Sequence, residues 1–386
     1  MLISRHSGGA RAAASAALTT IALLVLVEMA VAAPRESAAG AAPAAALWAW
    51  GHNDSGQLGD GTTTDSSVPV QVIGLTGVTF AKSGLYHTVA AREDGTVWGW
   101  GNNEYGQLGG ATTATCGDEA EPCSPTPILI DGVSSAIAVS AGYGHSLALT
   151  SDGTVWAWGR NDSGQLGNNM TTPSSVPVQV VDPADPTGKL TGVVAVAGGF
   201  FHSLAIRRDG SLWAWGRNTH GELGTGTLDN SSIPVRTRLG SPALALAVCA
   251  QCSFALATDG TVWAWGHNAY GQLGNGTIHD SRLPVRVRTL AGVKAISGGG
   301  YHGVALKGDG TVWTWGRNDY GQLGTSTTTG STLPVPVTGV SGVTGLAHVY
   351  VGALYTVVLQ GASGDPQQAQ HTVARCQTPW LGSSGC

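Results

Sequence analysis

Apolar positions fall in short runs separated by glycine-rich turns, and no stretch of the repeats carries a ten-residue amphipathic helical pattern. The runs recur in a fixed order. A Pro-Val run opens each unit, as at Pro69, Pro177, Pro234, Pro284 and Pro334, with a variant at Pro127. Proline at the start of a strand removes no ladder donor that the strand needs. An apolar run ending in glycines follows, such as Val193 to Ala197 before Gly198 and Gly199. A third run begins with histidine, as in His145-Ser-Leu-Ala-Leu and His202-Ser-Leu-Ala-Ile. Cys252 and Tyr355 stand at the histidine position in divergent copies. Asp-Gly then leads into Thr-Val-Trp-x-Trp, as from Asp259 to Trp265. Asp-Gly between two apolar runs is a hairpin signal, because the turn needs positive φ. The unit therefore reads as a four-stranded antiparallel meander with the Pro-Val run first and the tryptophan strand last.

Twelve of the thirteen tryptophans lie in six Trp-x-Trp-Gly copies, at Trp48, Trp98, Trp156, Trp213, Trp263 and Trp313. Their first tryptophans are 50, 58, 57, 50 and 50 residues apart. Four short strands per period of about 50 residues predict an all-β fold, a β-propeller. A parallel β-solenoid is the alternative, with a period that is usually shorter. The tryptophan strand at Trp48 has no strands before it, and the last copy of the other three, from Pro334 to Leu359, has none after it. These leftovers predict six blades, with the N-terminal strand completing the blade begun at Pro334 and Trp48 lying near Val357. Two units carry acidic insertions, at residues 116–123 and 181–189.

The ends are different. Arg5 and Arg11 precede an apolar run that ends in Ala30-Val-Ala32. A basic start, an apolar core and a small-x-small site predict a signal peptide over residues 1–32. An uncleaved anchor is the rival, but the uninterrupted apolar core is short for a membrane span. Residues 33–46 read as a flexible lead-in, 47–360 as the propeller and 361–386 as a polar tail. The expected location is secreted, periplasmic or at the cell surface. Six cysteines suit that oxidising route. They lie in three near pairs, Cys116 with Cys123, Cys249 with Cys252 and Cys376 with Cys386, although fifteen connectivities are possible. A redox role for Cys249-x-x-Cys252 would want a helix in a βαβ unit, which the strand pattern opposes.

Only 11% of residues are charged and the formal net charge is −5, which argues against a nucleic-acid binder relying on bulk positive charge. Gly-x-Asn-x-x-Gly-Gln-Leu-Gly after Trp-x-Trp, with His-Ser-x-Ala-Leu before Asp-Gly-x-Val-Trp, resembles the regulator-of-chromosome-condensation repeat family over roughly residues 47–360. The resemblance implies a propeller. That family's founding member is a seven-bladed exchange factor for a small nuclear GTPase and also binds chromatin. Blade count, signal and cysteine pairs depart from it and suggest a secreted, bacterial-type member. The resemblance therefore carries over the fold and not the exchange activity.

Candidate chemistry is sparse. His87, His145, His202 and His302 could converge on a metal, but their repetition favours imidazoles bonded to backbone within each blade. Tyrosine at the same position is a poor zinc ligand, and no metal ligand is assigned. The Asn loops at Asn53, Asn103, Asn161, Asn218, Asn268 and Asn318 lack the endings of phosphate loops and the acidic spacing of calcium loops, so no cofactor is expected. Asp-Gly-Thr-Val-Trp also resembles part of the sialidase Asp-box, without that enzyme's catalytic set. Differences between units are more informative. Arg236 and Arg238 in one unit, and Arg282, Arg286 and Arg288 in the next, predict adjacent cationic strands facing an anionic or carboxylate-bearing partner. The reading is an exported, monomeric, non-catalytic scaffold for a protein or cell-envelope ligand. The alternatives are a secreted enzyme of unknown class, or an exchange-factor-like regulator if the N-terminus is not a signal.

Overall fold

The computed structural model describes residues 47–117, 120–340, 342–346 and 358–360. The chain divides into two compact units, Met1–Pro43 and Ala44–Cys386. The first lies outside the described residues, as do the signal and lead-in, residues 361–386, Val357 and the Cys376–Cys386 pair.

The second unit is an all-β propeller of four-stranded antiparallel blades. Blade 2 shows the pattern: Ala136–Ala141, His145–Thr150, Val155–Gly159 and Ser174–Gln179 pair in chain order. Blade 1 runs from Val78 to Ile130, blade 3 from Val193 to Arg236, blade 4 from Ala243 to Arg286 and blade 5 from Val293 to Pro336. The Pro-Val strand pairs with the tryptophan strand before it, as Trp156↔Gln179 and Trp213↔Arg236 show. It is therefore the last strand of a blade and not the first. The Asp-Gly hairpin behaves as expected: Asp259 Oδ1 accepts from the Thr261 amide at 2.9 Å and its hydroxyl at 2.6 Å.

This phase changes how the ends complement each other. Trp48–Gly51 pairs with Ser66–Gln71, and Val343–Leu346 pairs with Val358–Gln360. The sixth blade is thus split two and two, rather than three and one. The ladder between Trp48–Gly51 and Val358–Gln360 is absent from the pairings of the described residues. Trp48 and Trp50 are correspondingly 53% and 40% exposed.

The five complete blades are held by a seam built from the motif itself. The second tryptophan of each blade is at most 1% exposed and packs against the preceding blade. Trp215 joins Leu147, Leu149 and Leu166 of blade 2, and Trp265 joins Leu204, Ile206 and Leu223 of blade 3. Each indole also donates to one backbone carbonyl in the preceding unit's Gly-Gln-Leu-Gly loop. Trp158 reaches Gln107 O at 2.8 Å, Trp215 reaches Gln165 O at 2.9 Å, and Trp265 reaches Glu222 O at 2.7 Å. The same carbonyls accept from Ser146, Ser203 and Ser253 hydroxyls at 2.8–2.9 Å.

Those serines also answer the histidines. His87, His145 and His202 place Nε2 2.9–3.0 Å from Ser146, Ser203 and Ser253 of the following blade. The partners are hydroxyls of a neighbouring blade, not backbone within the same blade. Each serine gives its one proton to the loop carbonyl, so the imidazole must donate from Nε2. Burial lowers all three pKa values to about 3, and that of His302 to about 4. At neutral pH the rings are uncharged.

One seam differs. Between blades 4 and 5 both partners change, to Cys252 and Gly303. Cys249 and Cys252 form a disulfide in the core, and Phe254 meets Trp315 edge-on at 5.9 Å. A Cβ on Gly303 would lie 2.3 Å from the Trp315 ring, so the indole occupies the space a serine would need. Cys116–Cys123 closes the first insertion, beside the short Ala114–Cys116 strand.

Two outcomes follow from the seam. Trp215→Ala should destabilise the protein by about 3–5 kcal/mol, and Trp215→Phe by about 1 kcal/mol for the lost indole bond, both measured by urea denaturation. The histidines set an acid limit. Unfolded, each takes up a proton near the ordinary value of 6.5, while folded it resists until about 3. Their stability contribution is complete above pH 6.5 and falls with decreasing pH by about 1.4 kcal/mol per pH unit for each. Thermal melts between pH 7 and 4 should show this slope, and His145→Gln should reduce it by one histidine's share.

Candidate functional site

The loops joining the first and second strands of successive blades are tied together. Tyr143 N donates to Phe200 O at 3.3 Å, Phe200 N to Ala250 O at 3.0 Å, and Ala250 N to Gly300 O at 3.0 Å. Glycine permits this approach: a Cβ on Gly142 would lie 2.3 Å from Gly199 O. The close spacing brings the residues before the histidine strands into an aromatic group. Tyr86 and Tyr143 are 6.3 Å apart, Tyr143 and Phe201 5.3 Å, and Tyr143 and Phe200 5.8 Å. Tyr301 lies 5.2 Å from Tyr270 in a second group.

Arginines that follow Trp-x-Trp-Gly cover these rings. The Arg160 guanidinium lies 4.8 Å from Tyr105, 4.9 Å from Phe201 and 5.6 Å from Tyr143. Arg317 lies 5.0 Å from Tyr270 and 5.9 Å from Tyr301, and Arg217 5.4 Å from Phe201. Asp162 and Asp319 hold Arg160 and Arg317 at 2.6 Å. Burial, with Glu104 adding to it, pushes the Tyr105 phenol up to about 12. Burial also raises Tyr86 and Tyr301, so these phenols remain neutral. Apart from Tyr270, which is exposed, the rings are half-buried, and arginine stacks on most of them. That composition suits an interface, where Tyr, Phe and Arg are enriched.

The arginines singled out in the sequence lie elsewhere. All five are exposed on the fourth strands of blades 3 and 4 or just beyond them. Register separates them. Arg236 and Arg286 sit opposite Trp213 and Trp263, with Arg238 and Arg288 following. Arg282 adjoins Ser281, which pairs with Gly266 at the opposite strand end. The structure thus places four of the arginines at equivalent ends of the two fourth strands and Arg282 at the other end, against Gly221 of the preceding blade's Asn loop. Among the described residues none of the five forms an ion pair.

The acidic insertions offer less free charge than the sequence suggested. Asp182 is buried and paired with Arg207 of the next blade, and Asp185 Oδ1 accepts from Thr187. Asp118 and Glu119 lie outside the described residues. The Asn loops are stitched internally: Asn268 Oδ1 accepts from Leu273 N, and its Nδ2 donates to Thr277 and His279 carbonyls.

The RCC1-like domain profile matches residues 46–365. The chain belongs to the RCC1-like domain family. It is similar to the Ultraviolet-B receptor UVR8 of Arabidopsis thaliana, 32% identical over 190 residues that cover 49% of this chain and 41% of the receptor. It is also similar to human E3 ubiquitin-protein ligase HERC2, 36% identical over 115 residues, 28% of this chain and 2% of the ligase. The chain thus spans less than half the length of these curated relatives. Among solved structures, yeast RCC1 (Prp20) bound to Kap60 superposes with a TM-score of 0.69 at 21% identity, covering 86% of this chain and 84% of that one. The likeness is one of fold.

Within this RCC1-like propeller, sequence reasoning missed the aromatic–arginine group. Its signal was present: an aromatic just before the histidine strand and arginine just after Trp-x-Trp-Gly recur in several units. Arg160→Ala should leave the fold intact and cost about 1–2 kcal/mol, since the half-buried guanidinium loses its ring contacts along with an ion pair to the exposed Asp162. It should also raise the fluorescence quenching of Tyr105 and Tyr143 by acrylamide, which reads the uncovering of their rings.

Proposed function

We propose that this chain is an exported, non-catalytic RCC1-like propeller that binds a protein or cell-envelope ligand through its aromatic–arginine loops. The observation carrying this reading is the set of half-buried rings at Tyr143, Phe200 and Phe201, with Arg160 and Arg217 stacked on them. Rigid aromatics lose little side-chain freedom on contact, and arginine adds directed donors. The seam supports the loops from below, so they form a preorganised surface. Export is supported by the basic start, the apolar run and Ala30-Val-Ala32, and by cystines formed between near neighbours.

A second reading rests on the four grouped arginines. Arg236, Arg238, Arg286 and Arg288 are exposed without ion pairs among the described residues. They suit an anionic or carboxylate-bearing ligand at the far ends of the fourth strands.

The two surfaces are separable. Partners captured from the native extracellular fraction should be lost with Tyr143→Ala plus Arg160→Ala, by roughly 30-fold in affinity if these residues act as hot spots. Charge reversal of Arg236, Arg238, Arg286 and Arg288 should spare that capture. Capture that survives the first variant and disappears with the second would move the site to the arginine edge. Sequencing the mature N-terminus should find it starting at Ala33; an N-terminus at Met1 would count against export by a cleaved signal.

A further inference from the structure

Three side chains at the seam between blades 3 and 4 meet in a way that no other seam among the described residues repeats. His220 lies in the Asn loop after the Leu212–Gly216 strand. His267 and Asp280 belong to the next blade, on either side of its own Asn loop. One ligand atom from each lies within 4.8 Å of the others. His220 Nδ1 is 2.7 Å from Asp280 Oδ2, and the two imidazole centroids are 4.7 Å apart, edge to face. His220 and His267 are half-buried and Asp280 is exposed, so the cluster opens to solvent.

The other seams show what this combination replaces. The His220 position holds Ser55, Tyr105, Ser163, Tyr270 and Tyr320 in the remaining loops. The His267 position holds arginine three times, as Arg160, Arg217 and Arg317. Between blades 1 and 2, and between blades 4 and 5, that arginine stacks on the facing tyrosine: Arg160 on Tyr105 and Arg317 on Tyr270. A fixed cation thus fills the junction. At the His220 seam the arginine is gone, the tyrosine is an imidazole, and a carboxylate faces both.

Neighbouring groups already hold these side chains and their loops in place. Asp280 Oδ1 accepts from the Asn268 amide at 2.8 Å, which fixes the carboxylate and leaves Oδ2 for the cluster. Gln272 Nε2 lies 2.8 Å from His267 Nδ1 and orients that ring. The His220 amide donates to Glu222 at 2.8 Å, and Glu222 is the one glutamate at a position that holds glutamine in the five other loops.

We propose that His220, His267 and Asp280 form a site for a divalent first-row transition-metal ion, of the zinc or cobalt class, that bridges blades 3 and 4. Two imidazoles with one carboxylate suit such ions better than calcium or magnesium, which prefer oxygen ligands alone. The 2.7 Å contact between His220 and Asp280 opens by a few tenths of an ångström as the ion enters, and the proton now on His220 Nδ1 moves to Nε2; the Gln272 donation to His267 Nδ1 also opens, freeing that lone pair for the ion while the His267 proton stays on Nε2. Three protein ligands leave a position for water.

The test uses the full chain after chelator treatment, titrated with Zn²⁺ by calorimetry and with Co²⁺ by visible absorption. One equivalent should bind, and saturating Zn²⁺ should raise the melting temperature because the ion ties two blades. Three variants borrow residues that sister seams already accommodate. His220→Tyr and His267→Arg restore the other junctions, and Asp280→Asn keeps the turn acceptor as Asn230 does, 2.8 Å from Asn218 N. Each should weaken binding at least tenfold and abolish the melting shift, while circular dichroism stays unchanged. Absence of one-equivalent binding would overturn the proposal. So would wild-type affinity in both His220→Tyr and His267→Arg, which would place the ion at other histidines.

Discussion

The structure depends on a single backbone carbonyl repeated along the chain. Among the described residues, in five of the six loops the oxygen of the Gln or Glu residue receives the indole of the next blade and, at four of these seams, a hydroxyl as well. Gln57 O takes Trp100 and Thr88, and Gln107 O takes Trp158 and Ser146. Two donors on one acceptor satisfy the carbonyl, the indole and the hydroxyl together, while Nδ1 of His87 and of His145 stays without a partner. The two donors also fix the angle between neighbouring blades, because an indole N–H and a hydroxyl from two strands of one blade converge on one carbonyl of the other. Area alone would leave that angle loose.

Exceptions show which parts of the junction are interchangeable. At Glu222 the side chain changes from amide to carboxylate, yet the carbonyl still accepts from Trp265 and Ser253. The bond is to backbone, so the side chain is free to vary. Between blades 4 and 5 the histidine and the serine disappear together. A disulfide and an aromatic contact replace a polar relay there, while the Trp315 indole bond to Gln272 O persists at 2.8 Å. The hydroxyl and imidazole are thus the exchangeable layer, and the tryptophan is the constant one.

Because the indole–carbonyl bond is kept at all five of these seams, the loops above them are positioned alike and can diverge without disturbing the fold. Aromatics and arginine fill them on blades 1 to 3, where Tyr143, Phe201 and Arg160 converge. The junction of blades 3 and 4 carries His220, His267 and Asp280 in the corresponding places. The same geometry that stacks a guanidinium on a phenol brings two imidazoles together when both residues change.

The sequence alone determined the strands, their antiparallel meander and the count of six tryptophan strands, because period-2 patterning, Asp-Gly turns and a repeat near 50 residues are local signals. It also pointed to the two near-neighbour cystines that the described residues contain. Only the tertiary structure decided where a blade begins, because the Pro-Val strand can pair with either neighbour in the chain and the Trp156↔Gln179 register selects one. It likewise decided that the histidines reach a serine 51 to 59 residues away in the next blade, and that Arg282 parts from Arg286 to opposite strand ends. Sequence spacing gives distances along one strand. Which residues meet across a seam depends on how whole blades pack, and the tryptophan with its distant carbonyl sets that packing.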